Sequence, residues 1–215
     1  MAPEARYELP PERLGRWLGR WAAAHPGPHR STFTADEARF TAADGASLLA
    51  RPVIGGLPEG ELDGFADGPL LAHVRAERTV GVLLVRLGAH AAGVFEGDRL
   101  VASKVDRRLV HGRNRAGGQS QRRFERRRAG QARGSLQAAA EVAMRVLLPH
   151  AARLDAVVGG GDRGAVADVL ADRRLAPLAA LRVERTVEVP EPRLEVLEAM
   201  PTRFRSTLLI AREGG

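Results

Sequence analysis

Between Arg78 and Leu109 three strand-like stretches follow one another with only tight turns between them. This spacing constrains the fold more than any other feature of the chain. The run 80-VGVLLVRL-87 is apolar throughout, as in a strand buried on both faces. The stretch 91-AAGVFEGD-98 predicts a second strand with Glu96-Gly97-Asp98 as its turn, and 99-RLVASKVDRRL-109 predicts a third. Connections this short cannot hold a crossover, so the three predict an antiparallel meander. A proline-free stretch from Ser120 to Leu148 comes next, with Phe124, Ala132, Leu136, Ala139, Ala143, Val146 and Leu147 spaced for one buried face. It predicts a long helix ended by Pro149. Gly130 and Gly134 weaken it by about 1 kcal/mol each relative to alanine, which predicts a kink or frayed first turn near Gly130. Segment 154–181 predicts a strand, a glycine turn and a helix with Asp162 as N-cap. Segment 182–210 predicts a strand, a short helix and a last strand. The order β-β-β-α-β-α-β specifies an α/β sheet with helices packed on its faces.

The N-terminal part has a different pattern. Residues 1–9 predict a loose arm. Pro10-Pro11 opens a helix over 11–24, with Leu14, Trp17, Leu18 and Trp21 on one apolar face, and 25-HPGPHR-30 ends it. Both tryptophans are read as core or interface packing residues, with base stacking as the alternative that nothing nearby in the sequence favours. Residues 31–53 alternate as short strands around an Asp44-Gly45 hairpin turn. Segment 54–69 is rich in Gly, Pro and acids and predicts an exposed loop; the acid excess over 35–69 would keep this part away from RNA. The organisation expected is an extension over 1–77, made of arm, helix and hairpin, packed on a main domain over 78–215.

Charge is concentrated in one place. The window 107–128 holds nine arginines (Arg107, Arg108, Arg113, Arg115, Arg122, Arg123, Arg126, Arg127 and Arg128) against the single acid Glu125, a charge of +8 in a chain of net charge +7. A local cluster of this kind points to a polyanion, most often nucleic acid. A membrane surface fits less well, because no amphipathic helix joins a basic face to large apolar anchors. The chain has no cysteine, which excludes disulfides, thiolate catalysis and Cys-type zinc sites. It has neither a signal-type N-terminus nor an apolar run of bilayer length, so the expected location is the cytoplasm. Inside the basic window stands Gly117-Gly118-Gln119, in a glycine-rich loop between the third strand and the long helix. Consecutive glycines let a backbone approach another molecule closely. Such a loop could carry backbone N–H groups into a crowded RNA site while arginines bind phosphates around it.

The stretch 111-HGRNRAGGQSQRRFERRR-128 resembles the middle domain of the eukaryotic and archaeal translation release factors, which carry His-Gly-Arg-Gly-Gly-Gln-Ser followed by Arg-Phe and further arginines. The strands in 81–99 occupy the place of that domain's first hairpin, and 154-LDAVVGGGDR-163 matches its strand and glycine turn. The resemblance covers roughly 78–210 and looks closest to the Vms-like release factors, whose extension the N-terminal helix and hairpin also resemble. Here Asn114, Arg115 and Ala116 lengthen the loop between His111-Gly112-Arg113 and the glycine pair.

This resemblance implies a mixed, ribonuclease-H-like sheet flanked by helices. It implies codon-independent hydrolysis of peptidyl-tRNA on stalled ribosomes or split large subunits. Gly117, Gly118 and Gln119 would act in the peptidyl-transferase centre. Arg113, Arg115, Ser120, Arg122, Arg123, Arg126, Arg127 and Arg128 would contact RNA. The partners implied are the large subunit with its 23S-type rRNA and peptidyl-tRNA, with no membrane, no metal and no cofactor. The backbone N–H of Gln119 would stabilise developing negative charge, and its side chain would position water.

Two other readings stay open from the residues. One is a factor that binds the ribosome or structured RNA without cutting. The other is a nuclease acting on the tRNA 3′ end, for which Asp98, Asp106, Asp155 and Asp162 are the available carboxylates. The run 159-GGGDRG-164 lacks the Gly-Lys-Ser/Thr ending of a phosphate loop and reads as a strand-to-helix turn. His25, His29, His73, His90 and His150 are scattered without metal-ligand spacing, and His111 is read as a loop-shaping residue.

Overall fold

The computed structural model describes residues 4–86, 88–107 and 120–214, the side chains of 120–129 excepted. The chain forms two compact units, Met1–Glu77 with Thr202–Gly215, and Arg78–Pro201. The elements begin with β1 (Glu4–Leu9), α1 (Pro11–Ala24), β2 (His29–Phe33), β3 (Ala38–Ala42), β4 (Ser47–Pro52), β5 (Gly60–Asp63) and α2 (Gly68–Arg75). They continue with β6 (Thr79–Arg86), β7 (Ala89–Glu96), β8 (Arg99–Arg107), α3 (Ser120–Val146), β9 (Ala156–Gly161) and α4 (Arg163–Leu170). The chain closes with three short helices, α5 (Ala176–Ala179), α6 (Leu194–Glu198) and α7 (Met200–Phe204), and the strand β10 (Thr207–Arg212).

The first unit is a six-stranded sheet in the order β1-β10-β4-β3-β2-β5, antiparallel at every pairing. Helix α1 runs over the predicted residues. Pro11 stands in its first turn, where the missing N–H costs nothing, and Leu14, Leu18 and Trp21 are buried. It stops at His25, whose N–H bonds the Trp21 carbonyl. The predicted hairpin is β3–β4. Gly45 takes φ +86° in its turn, and the Asp44 carboxylate accepts the Ala46 N–H at 2.9 Å. Leu14, Leu18, Trp21, Phe40, Leu48, Leu70 and Leu209 build the core of this unit.

Three expectations are corrected here. Residues 4–9 are an edge strand, paired from Glu4↔Arg212 to Leu9↔Thr207, rather than a loose arm. Five of its six residues are exposed, so it lacks the apolar alternation that marks a strand in sequence. Within the expected loop over 54–69, Gly60–Asp63 forms edge strand β5 on β2, again with every residue exposed. The final strand does lie near the C-terminus, but it pairs with β1 and β4 in this sheet. Helix α2, which buries Leu70 and Val74, carries no legible sequence signal; eight residues are too few for periodicity to emerge.

The second unit holds a four-stranded sheet in the order β8-β7-β6-β9. Strands β6, β7 and β8 form the predicted meander, and β9 joins β6 in parallel, which makes the sheet mixed. Leu83, Val85, Ala92 and Val94 from the sheet pack with Ala139, Ala143 and Val146 of α3, with Leu147 just past its end, and with Val166, Val169 and Leu170 of α4. Helix α3 runs as one element across Gly130 and Gly134. It ends at Val146, and Pro149 sits in the following 3-10 turn, Leu148–Arg153. The helix after β9 stops at Leu170, where Asp172 accepts the Arg174 N–H and opens a separate 3-10 turn. Segment 182–187 forms no strand. It is tied to β9 only by the bridges Val157↔Arg182 and Gly160↔Val187.

Candidate functional site

The basic window runs from the last residue of β8 into α3, so its frame is set by how those two elements are held. Strand β8 is registered on β7 through His90↔Asp106 and Ala89↔Arg107. Asp106 turns its carboxylate back onto the Arg107 N–H at 2.8 Å, and the Arg107 guanidinium lies 3.8 Å from Glu191. Among the described side chains of α3 burial begins at Ser135 and continues through Ala139, Ala140, Val142, Ala143 and Val146. Gly130 and Arg133 are exposed. The carboxyl half of α3 is therefore the anchored half, fixed by apolar burial against the sheet and α4.

Arg113, Arg115, Gly117, Gly118 and Gln119, together with His111 and the Asn114–Ala116 insertion, lie outside the described residues. Ser120, Arg122, Arg123, Arg126, Arg127 and Arg128 belong to the first turns of α3, and their side chains lie outside the description. The unit Arg78–Pro201 carries 22 basic and 14 acidic residues, +8, and the other unit 11 and 12, −1. The excess charge of the chain thus resides in the unit whose sequence contains Gly-Gly-Gln.

One buried polar residue near this frame reads from sequence only as one of the scattered histidines. His90 is 1% exposed, and neither ring nitrogen has a hydrogen-bond partner among the described residues. Burial pushes its pKa below the ordinary 6.5, and the nearby Asp106 charge opposes that shift. No local signal marks it, since a single histidine in an apolar strand has no pattern of its own.

The carboxylates available to a metal nuclease are not brought together. Asp98 lies in the β7–β8 turn, and Asp155 accepts the Thr79 N–H at 2.7 Å where β6 begins. Asp106 ends β8 and Asp162 caps α4 by accepting the Ala165 N–H at 3.0 Å; both lie at the opposite end of the sheet. Among the described residues no three His, Asp or Glu side chains are grouped to hold a metal ion. The predicted strand-to-helix turn is shorter than expected: Gly159–Gly161 are the last residues of β9 and only Asp162 separates them from α4, so the first two glycines serve packing. A Cβ on Gly159 would meet the Val166 side chain at 2.7 Å, and one on Gly160 would meet Leu84 at 2.6 Å. Among the described residues no helix is long and apolar enough to cross a membrane.

Comparison with solved structures finds similarity to an archaeal translation termination factor, aRF1, at 18% identity and a TM-score of 0.46, covering 76% of this chain and 51% of that one. Pelota from Archaeoglobus fulgidus is similar at 14% identity and a TM-score of 0.31, covering 94% of this chain and 63% of that one. The chain thus spans between half and two thirds of the length of these relatives. No curated protein matches it. The profile of the Actinobacteria/Chloroflexi VLRF1 release factors matches residues 78–210, which takes in the meander, the Gly-Gly-Gln tripeptide, α3, β9 and α4. The chain belongs to the VLRF1 release-factor family, and its role lies in translation.

Proposed function

We propose that this protein is a peptidyl-tRNA hydrolase that acts without reading a codon and frees nascent peptides from stalled ribosomes or split large subunits in the cytoplasm. The observation that carries this reading is the Gly117-Gly118-Gln119 tripeptide, set between β8 and α3 within the family-matched segment and flanked by the arginines that hold the chain's excess charge. The reaction is attack of water on the ester carbonyl joining peptide to the tRNA 3′ end. Negative charge develops on oxygen. The Gln119 N–H stabilises that charge or the leaving ribose oxygen, and its side chain places the water. The glycine pair supplies a backbone shape that residues with side chains could not adopt in a crowded centre. Arg113, Arg115, Ser120, Arg122, Arg123, Arg126, Arg127 and Arg128 hold the loop and helix against rRNA and tRNA phosphates.

The dispersal of Asp98, Asp155, Asp106 and Asp162 to opposite ends of the sheet weighs against the nuclease reading. A binding-only factor remains the second reading, since the same charge would serve it.

The deciding experiment is release of labelled peptide from peptidyl-tRNA on purified large subunits, comparing the native chain with Gln119→Ala at matched occupancy. Release by the native chain that is lost in the variant supports the hydrolase. Tight binding without release by either protein overturns it in favour of the binder.

A further inference from the structure

The first unit separates its arginines into two groups. Those on the sheet are neutralised: Arg6 and Arg212 lie 2.7 and 2.9 Å from Glu4, Arg39 and Arg51 lie 3.2 and 2.8 Å from Glu37, and Arg30 lies 3.8 Å from Glu61. Those on α1 and α2 are not. Arg13, Arg16 and Arg20 of α1 and Arg75 of α2 are exposed, and none has an acidic partner among the described residues.

Their placement is ordered. Positions 13, 16 and 20 follow the three-and-four spacing that puts residues on one side of a helix, over about 10 Å of rise. The opposite side of α1 buries Leu14, Leu18 and Trp21, so the arginines face solvent. The guanidinium of Arg75 reaches α1 at Gly15, 3.5 Å from where a Cβ would stand.

An aromatic pair adjoins this row. Trp17 stands four residues after Arg13 and three before Arg20, so it neighbours both along the helix. Its ring lies 5.2 Å from that of Tyr7, tilted by 53°. Tyr7 is 42% exposed, on an edge strand whose outer side is open. A rigid, half-exposed aromatic beside a line of unpaired guanidiniums offers a stacking surface for a base and phosphate contacts on either side of it.

We infer that Arg13, Arg16, Arg20 and Arg75 with the Tyr7–Trp17 pair form a contact surface for single-stranded RNA, on the unit that the release-factor family match scarcely reaches. An acidic peptide would find the charges but no use for the ring. An anionic bilayer requires apolar anchors, and of the two large exposed hydrophobic residues described in this unit Tyr7 adjoins the row while Leu62 lies on β5, at the other edge of the sheet. The surface is independent of Gln119 and of hydrolysis, so it can stand or fall separately from the proposed activity.

The test is fluorescence anisotropy of a labelled single-stranded oligouridylate with the full chain across a salt series. In the triple variant Arg13→Gln/Arg16→Gln/Arg20→Gln the slope of log affinity against log salt should shrink by about 2, at roughly 0.7 for each phosphate no longer neutralised. The triple Arg→Lys variant should keep the native slope. Tyr7→Ala should weaken binding roughly fivefold or more with little change in slope. Thermal melts establish that each variant is folded, and ultraviolet cross-linking of the same RNA to native protein should label Tyr7 or Trp17. An unchanged affinity and slope in a folded triple-glutamine variant overturns the inference. So does failure of that variant to bind phosphatidylserine vesicles while its RNA binding stays intact, which would assign the face to membranes.

Discussion

Glu4 and Arg212 meet across almost the whole chain: Nε and Nη2 of Arg212 donate to one Glu4 oxygen at 3.1 and 2.9 Å, from 208 positions away. Arg6 holds the other oxygen, and the bonds from Arg6 and then Arg212 keep the Glu4 carboxyl below its usual 4.5. A carboxylate whose pKa is lowered by folding contributes stability above its unfolded value, and that contribution disappears as pH falls through the folded value. Glu4→Gln should therefore speed amide exchange in β1 and β10 at pH 7 and make no difference well below pH 4.5. Hydrogen exchange of the two strands in both proteins measures it. Because the group is solvent-exposed and screened, the effect should shrink with added salt.

The glycines divide into those the packing needs and those it does not. Gly161 has φ +94°, and a Cβ there would lie 2.4 Å from the Val85 carbonyl oxygen. Gly161→Ala should cost about 2 kcal/mol or more, from the left-handed backbone and the displaced β6–β9 contact. Gly19, inside α1, has nothing within 4 Å of its Cβ position. Gly19→Ala should stabilise by up to about 1 kcal/mol through helix propensity alone. Denaturant titrations of the pair should move in opposite directions.

His90 is buried with its pKa lowered by desolvation. The unfolded chain then binds a proton more readily than the folded one. Stability should be complete above about pH 6.5 and decline as pH falls from there through the lower folded value. His90→Leu removes two unsatisfied buried nitrogens and the proton linkage together. It should raise stability at pH 7 by about 1 kcal/mol and flatten this acid limb, as read from urea unfolding at a series of pH values.

If the arginines of α3 dock on RNA, their loss should act on binding before chemistry. Arg126→Gln/Arg127→Gln should raise KM for peptidyl-tRNA on large subunits and leave kcat near native, with the salt slope of subunit binding reduced by between about 1 and 2. A selective loss of kcat would place these residues at the reacting ester instead.

Much of both units was legible because the signals are local. The turns at Glu96-Gly97 and Asp44-Gly45, the prolines at 10 and 11, and the glycine run ending at Asp162 each fix backbone geometry within a few residues. The apolar spacing of α3 marked the face that packs on the sheet. Other features left no local trace. Strands β1 and β5 expose nearly every residue. His90 looks like any histidine until its neighbours close around it.

The sequence by itself determined the meander, the long helix after it, the N-terminal helix and hairpin, and the concentration of charge around Gly117-Gly118-Gln119. Only the tertiary structure decided that the two ends of the chain share one sheet, and which arginines are neutralised and which remain free. The reason is physical. Local pattern records how a residue relates to neighbours within a turn or two, whereas pairing and ion contacts depend on segments that meet only after the core has formed. Glu4 neutralises Arg212 because β1 and β10 are in register, whereas Arg13, Arg16 and Arg20 form no ion pair among the described residues, although Glu12 stands one turn before Arg16 on α1.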